Sequence, residues 1–176
     1  MPITGIDVLI MSENPLCIDE YIAKLTNAPA SAGCGGTAIF IGTSRSSSKI
    51  SDKEVIALDY QAYVPMAEKK LKEICSQLRQ QFISIGSIVL VHRIGYAPVG
   101  EAGLFVGISA PHRQAAIECM DAAITEIKAK LPVWKQEVYI DGSRSWTVNP
   151  ECLWSAKGAE ASKLNQTEKV LVNGST

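Results

Sequence analysis

Two lysines on either side of a proline are the residues of this sequence best placed to do chemistry. Lys128 and Lys135 lie seven residues apart, and Pro132 between them must end the helix that carries Lys128. Such a corner can aim two ammonium groups at one anion, and ammonium groups held close together lower each other's affinity for protons. One amine could then act as a general base or nucleophile while the other holds negative charge. The competing interpretation is a pair of solvated surface lysines.

A histidine and an arginine at the start of a predicted helix form a second candidate site. His112 and Arg113 follow Pro111 and fall in the first turn, where the helix dipole and free N–H groups favour negative charge. A bound phosphate or carboxylate would explain two basic residues there, because N–H donors, an imidazole and a guanidinium all suit an anion. The alternative is an Arg113 paired with a nearby acid and a merely exposed His112, and the sequence favours neither.

Two further basic residues are weaker candidates. Arg45 lies in a serine-rich loop predicted to be flexible, and loops on a rigid scaffold often carry substrate contacts, although a solvated arginine is the more ordinary case. His92 ends a predicted strand and could line a site, but a lone histidine there is more often structural. Nothing resembles a Ser-His-Asp triad, a phosphate-binding glycine loop or a paired-carboxylate hydrolase site.

The second long helix must position Lys128. It is predicted to have Ser109 as its cap and Pro111 in its first turn, and to stop at Pro132. On a helical wheel Arg113 and Lys128 fall on or beside the apolar stripe, whereas Lys130 falls well outside it. Lys128 must therefore reach a polar group or extend its aliphatic stem to solvent, which is the more ordinary outcome. The stripe consists of Ile117, Met120, Ile124, Ile127 and Leu131.

The rest of the pattern predicts strands that follow one another directly as well as strands separated by helices. Pro65 fits the first turn of another long helix, and Gly95, Pro98 and Gly100 predict a tight connection between two strands. This order favours an α+β fold, with a mixed or antiparallel sheet and two long helices, over a doubly wound parallel sheet. The predicted strands are 6–11, 37–42, 55–63, 85–91, 104–108 and 134–140, and the helices are 18–25, 65–82 and 109–131.

Length and composition limit the class of protein. A chain of 176 residues suits one domain, and a formal net charge of −1 provides no long-range positive field for a nucleic-acid backbone. No stretch approaches membrane-spanning length and no secretory leader is present, so a soluble intracellular protein is expected. Because the pattern is lost near the end of the chain, we predict one domain over 1–155 and a polar, flexible tail over 156–176.

The cysteines and histidines indicate neither disulfides nor a metal. Five cysteines contain no CxxC pair, and an odd number cannot all pair within one chain. Cys75 and Cys119 fall in apolar helical patterns, where cysteine behaves as a small hydrophobe. With only two histidines and no cluster of further ligands, neither a metal nor a cofactor is predicted.

Four segments carry a combined pattern: YQAYVPMA at 60–67, VHRIG at 91–95, APHR at 110–113 and KAKLPVWK at 128–135. In this order and spacing they resemble the catalytic large subunit of molybdopterin synthase, the MoaE family. The resemblance covers about residues 6–155, and residues 149–154 are similar to the ending of eukaryotic members.

The resemblance implies a fold of the α/β-hammerhead type and a sulfurtransferase of molybdenum cofactor biosynthesis. Members of the family convert precursor Z, a cyclic pyranopterin monophosphate, into molybdopterin by installing a dithiolene. The two sulfurs come from the thiocarboxylated C-terminal Gly-Gly of a small ubiquitin-like subunit of the MoaD type. The large subunit forms a dimer within a heterotetramer. A cytosolic enzyme with no nucleic-acid or membrane partner is therefore expected.

The resemblance also assigns roles to individual residues. The family's two essential lysines correspond to Lys128 and Lys135, which are expected to assist thiocarboxylate attack and loss of oxygen from the substrate. Its His-Arg pair corresponds to His112 and Arg113, and its loop arginine corresponds to Arg45. These three residues are expected to hold the phosphate and pterin, although the serine-rich loop around Arg45 departs from the family pattern in detail. The expected substrate-binding residues are Arg45, His112, Arg113, Lys128, Lys135, Gln136 and Glu137.

Two other functional classes are compatible with parts of the pattern. A non-catalytic anion-binding scaffold with the same fold is opposed by the presence of both Lys128 and Lys135, because a scaffold would not need the pair. An RNA-binding α+β module is opposed by the near-neutral charge and by the small number of candidate exposed aromatic residues.

Overall fold

A computed structural model describes residues 7–27 and 32–147, and its helices and strands form an α+β fold, as predicted. The segment 149–154, Cys152 and the predicted tail lie outside the described residues. The strands form two sheets with mostly antiparallel pairs, in line with the predicted mixed or antiparallel pairing. The elements are β1 (Asp7–Ser12), α1 (Ile18–Thr26), β2 (Gly36–Thr43), β3 (Val55–Ala62), α2 (Val64–Gln81), β4 (Ile88–Arg93), β5 (Gly95–Pro98), β6 (Ala102–Ala110), α3 (Arg113–Lys130), β7 (Val133–Tyr139) and β8 (Arg144–Thr147).

The first sheet has the strand order β1-β4-β6-β2 and supplies most of the core. Its β1–β4 pair is parallel, and its other pairs are antiparallel. The central strands β4 and β6 are apolar on both faces because helices cover both sides of the sheet. Ile88 and Leu90 belong to the cluster that contains α2 and α3, whereas Val89 and Val91 pack with Tyr21 and other α1 residues.

The second sheet has the order β5-β3-β7-β8 and contains two strands that were not predicted. Residues 95–98 form β5 rather than a simple tight connection, because they pair with β3 from Tyr60 to Ala57. The turn that follows is tight, as expected, and Gly100 adopts a φ of +89° that favours glycine. Strand β8 folds back on β7, so β7 is not the last strand.

Helix α3 starts later than predicted. Strand β6 continues through Ala110, since Gly36 of β2 pairs with it there, and His112 is the N-cap of the helix. The prediction of Ser109 as the cap was therefore wrong, as was the placement of Pro111 inside the first turn. Ser109 is buried instead, and its hydroxyl accepts a hydrogen bond of 2.7 Å from the Ser87 backbone N–H.

The apolar stripe of α3 was also partly wrong. The buried face of the helix consists of Ala116, Cys119, Ala123 and Ile127, whereas Ile117 is 52% exposed. Small residues face the first sheet because the start of the helix lies almost against its edge strand. A Cβ on Gly36 would come within 3.0 Å of the Arg113 backbone nitrogen. Close packing thus selected small side chains over the larger ones that the wheel favoured.

Both cysteines assigned to the core are buried. Burial raises the pKa of Cys75 to about 12 and that of Cys119 to about 12, so neither is a thiolate at neutral pH. Within residues 7–27 and 32–147, no helix is long and apolar enough to cross a bilayer. The same residues contain no cluster of three His, Cys, Asp or Glu side chains able to hold a metal ion.

Candidate active site

Lys135 lies on β7, the second of the two inner strands of the second sheet. It is partly buried, and it stands directly opposite Tyr60 of β3 and Thr147 of β8. Side chains of directly opposed residues in an antiparallel pair project from the same face, so Lys135 and Tyr60 share a face. The Thr147 hydroxyl donates a hydrogen bond of 3.1 Å to the Lys135 carbonyl oxygen, which joins β8 to this part of the strand.

Tyr60 connects the two sheets. Its ring lies edge-on to the ring of His92 in the first sheet, with centroids 5.3 Å apart and planes at 82°. Its hydroxyl end packs against Gly103 of β6, where an added Cβ would come within 2.5 Å of Tyr60 Oη. Burial raises the pKa of Tyr60, so the phenol is neutral in the physiological range. The face of the second sheet that carries Lys135 is therefore turned toward the end of β4.

His92 sits where the two sheets meet, at the same end as Lys135. The hydrogen bond of 2.7 Å between Nδ1 and the Arg93 carbonyl requires a proton on Nδ1, because a carbonyl can only accept. Burial is the main cause that lowers the pKa of His92 to about 4, and the positive charge of Lys135 adds to it. At neutral pH His92 is an uncharged imidazole near the amine of Lys135.

Arg93 holds the chain at this junction. Its side chain is only 5% exposed, forms an ion pair with Glu101 and donates to the Tyr96 carbonyl oxygen. These contacts tie the end of β4 to β5 and to the following turn. The Arg93 carbonyl that accepts from His92 is thereby fixed in place.

Lys128 lies in the last turn of α3 and is partly buried. The helix ends at Lys130 and β7 begins at Val133, so the predicted corner at Pro132 is confirmed. Lys130 pairs with Glu126 on the helix surface, in line with its separation from Lys128 on the wheel. That the amines of Lys128 and Lys135 converge on one anion stays a prediction.

Glu137 and Gln136 differ in placement from each other. Glu137 is only 8% exposed, and its carboxylate accepts hydrogen bonds from the hydroxyls of Ser48 and Tyr139. It therefore fastens the serine-rich loop to β7. Gln136 stands opposite Trp146 and, by strand alternation, points to the other side of the sheet from Lys135. The structure does not bring Gln136 together with the Lys135 side chain.

His112 and Arg113 lie at the opposite end of α3 from Lys128. Lys128 lies fifteen residues after Arg113 in the helix, which corresponds to roughly 22 Å along the axis. Both basic side chains are exposed beside an open cleft lined by Gly35, Pro111 and Gln114. Across the described ranges neither of them forms an ion pair, so the interpretation in which Arg113 is neutralised by a neighbouring acid is not realised.

Arg45 is exposed in the loop between β2 and β3. The loop is anchored at several points, which the prediction of a flexible segment did not anticipate. The Ser44 N–H donates to the Glu101 carbonyl at 3.1 Å, the Val55 N–H donates to the Ser46 carbonyl at 2.8 Å, and Ser48 reaches Glu137. Arg45 thus projects from a loop that is fixed on either side of it.

Sequence reasoning ranked His92 low and gave Tyr60 no part in the site. The two residues come from different sheets and are far apart in the chain, so no local periodicity could reveal their contact. The only signals were their presence in two of the four segments that form the combined pattern and the position of His92 at a strand end.

Comparisons with known proteins agree with this architecture. The family model described as MoaE protein matches residues 11–130, a range that includes Lys128 and ends before Lys135. The chain is 39% identical over 150 residues to the molybdopterin synthase catalytic subunit of Homo sapiens, covering 85% of this chain and 76% of the relative. It is 40% identical over 136 residues to that of Culex quinquefasciatus, covering 76% of this chain and 85% of the relative.

Solved structures show the same fold. The molybdopterin synthase structure from Staphylococcus aureus superposes with a TM-score of 0.69 at 29% identity, covering 80% of this chain and 96% of that one. A chain of the complex of subunits 1 and 2 of molybdopterin-converting factor from Helicobacter pylori superposes with a TM-score of 0.64, covering 84% of this chain and 92% of that one. At 14% identity, the second likeness concerns the fold alone.

Proposed function

This chain belongs to the MoaE family and acts in molybdenum cofactor biosynthesis, and from that premise we propose that it is the sulfur-transferring catalytic subunit of a molybdopterin synthase. The observation that carries the proposal is the position of Lys135, partly buried between two sheets beside an uncharged His92. A solvated surface lysine would not be placed so. By analogy with the two-subunit complex from Helicobacter pylori, with which this chain shares its fold, we also propose a second, small subunit as the partner.

The proposed reaction converts precursor Z into molybdopterin in the cytosol. A thiocarboxylate at the C-terminal Gly-Gly of a MoaD-type subunit supplies each sulfur. The sulfur forms a bond to a substrate side-chain carbon, the carbon–oxygen bond there breaks, and the departing oxygen takes up a proton. Hydrolysis of the acyl link then frees the small subunit with an ordinary carboxylate. Two such transfers complete the dithiolene.

The lysines serve this chemistry as cations close to the reacting atoms. Lys135, on a strand braced on both sides, would present its ammonium group to the thiocarboxylate and to the departing oxygen. Lys128, in the last turn of α3, would approach from the helix side of the Pro132 corner. Because negative charge moves from sulfur to oxygen during the transfer, a positive group fixed beside the departing oxygen would stabilise the transition state more than the ground state.

The substrate phosphate is proposed to bind at the start of α3. His112, Arg113 and the free N–H groups of the first turn suit an anion, and they lie at an open cleft that Gly35 also lines. Arg45 and Glu137, next to the braced serine-rich loop, complete the proposed set, with Gln136 in a more remote position. Helix α3 separates His112 and Arg113 at its start from the lysines at its end. We therefore propose that, within a heterotetramer, each site combines the start of α3 from one protomer with the lysines of a second protomer.

A reconstitution tests the assignment. The purified chain is mixed with a thiocarboxylated small subunit and precursor Z, and the molybdopterin formed is measured against a synthase known to work under the same conditions. Product formation that depends on the thiocarboxylate supports the proposal. Association with the small subunit but no product would favour a non-catalytic scaffold and overturn it.

A further inference from the structure

The junction between the two sheets contains a residue whose role the proposed function does not explain. Resting on that function, we propose that His92 is a positioning residue: through its Nε2 lone pair it orients the amine of Lys135 toward the reacting atoms. The geometry that supports this assignment has three parts, namely a fixed tautomer, a ring plane fixed by Tyr60, and the face that Tyr60 shares with Lys135.

The tautomer of His92 is set by its neighbour. Nδ1 donates to the Arg93 carbonyl at 2.7 Å, and the Arg93 side chain is locked by Glu101 and by the Tyr96 carbonyl. With its proton on Nδ1, a neutral imidazole keeps Nε2 as a hydrogen-bond acceptor. An acceptor is what an ammonium group can use, since Lys has donors only.

The ring plane is set by Tyr60. The edge-on contact at 82° holds the imidazole against the phenol ring of Tyr60. The hydroxyl end of that ring packs in turn against Gly103. In the first sheet the neighbours of His92 are Met11 of β1 and Leu104 of β6, which offer no competing charge. The ring therefore has little freedom to turn away.

Lys135 reaches this space because it stands opposite Tyr60 and projects from the same face. Its positive charge is among the causes that keep His92 uncharged, so the two groups lie within electrostatic range. A long lysine side chain loses considerable rotamer freedom when it is held in one place. A hydrogen bond to a fixed acceptor would offset that loss of entropy before the substrate binds. Holding the amine in place in this way is the function of a positioning residue.

The proposed contact between His92 and Lys135 can be tested without measuring activity, because the chain has only two histidines and their ring resonances are easily told apart. His92 is titrated by NMR of the imidazole nitrogens in the wild type, in Lys135→Met and in the control Lys53→Met, which removes a surface lysine paired with Asp141. We expect a proton on Nδ1 in the wild type, and a pKa of His92 that rises in Lys135→Met alone. Equal His92 titration in all three proteins would overturn the proposal.

A kinetic comparison separates positioning from a merely structural role. In reconstituted synthase, His92→Gln, whose amide can place an acceptor near the position of Nε2, should keep most of the turnover. His92→Asn, whose amide replaces Nδ1 only, should lower kcat roughly 10- to 100-fold with little change in KM. Equal kcat values for the two variants, at equal thermal stability, would overturn the proposal. An inactive wild type with a normal Lys135-dependent titration would instead count against the proposed function alone.

Discussion

At the scale of single residues, we expect the charge of Lys135 to matter more to activity than to folding. Lys135→Ala should reduce molybdopterin formation by at least about 100-fold, because a preorganised cation at the developing charge is lost. The thermal midpoint and the association with the small subunit should stay close to wild type, since the lysine is only partly buried. Turnover is measured in the reconstituted synthase with Lys130→Ala, which breaks a surface ion pair, as the matched control. Normal turnover in Lys135→Ala would remove this residue from the mechanism.

Because of His92, the free energy of unfolding should depend on pH between about 4 and 6.5. Its pKa is lowered from 6.5 to about 4 on folding, so between these values the unfolded chain binds a proton that the folded chain does not. Stability from this residue is therefore complete above pH 6.5 and is lost as the pH falls toward 4, by roughly 3 kcal/mol in total. Urea unfolding of the wild type and of His92→Gln across this range measures the difference. An unchanged pH slope in His92→Gln, with His112→Gln as the control, would contradict the assignment.

The absence of a side chain at Gly103 should be required for the packing of the Tyr60 ring against β6. In Gly103→Ala the new methyl group would lie 2.5 Å from Tyr60 Oη and 2.8 Å from Cζ, so the ring must move. Overpacking of this kind costs about 1–3 kcal/mol, and urea denaturation should show it. Adding Tyr60→Phe removes the nearest atom and should recover part of the loss. If the double variant is no more stable than Gly103→Ala, the clash is not the cause.

At the scale of elements, the serine-rich loop is held to β7 by one carboxylate. Glu137→Ala leaves the hydroxyls of Ser48 and Tyr139 without their acceptor and should destabilise the protein by about 1–3 kcal/mol. Exchange of the backbone amide of Ile50, which donates to Ser48 Oγ at 3.0 Å, should also become faster. Ser48→Ala, which deletes one donor only, serves as the milder comparison. Unchanged exchange at Ile50 in Glu137→Ala would contradict the anchoring role.

The elements also show what a single sequence can and cannot predict. Strong periodicity predicted α2 and the central strands, and Pro132 predicted the corner between Lys128 and Lys135. Strands β5 and β8 were missed because each has only four residues and is stabilised by its partner strand rather than by its own composition. The contact of Tyr60 with His92 depends on how one sheet is laid against the other, and no spacing along the chain encodes that.

At the scale of the whole molecule, the length of α3 determines how a complete site can be assembled. The helix has 18 residues, so its two ends, one with Arg113 and one with Lys128, are too far apart to hold a single small substrate. A dimer in which the start of one α3 meets the end of the other would bring an Arg113 and a Lys128 together at two equivalent places. Each site would then contain Arg113 from one protomer and the lysines from its partner.

Complementation between two inactive variants tests this arrangement directly. Arg113→Ala and Lys135→Ala are unfolded together, refolded as a mixture and assayed with small subunit and precursor Z. If sites are shared, half of the dimers are mixed and half of their sites carry both native residues, so random pairing restores roughly one quarter of wild-type turnover. Each variant refolded alone should stay inactive. No recovery in the mixture, with mixed dimers demonstrated by mass spectrometry, would place Arg113 and Lys135 of one protomer in the same site and contradict the separation that α3 imposes.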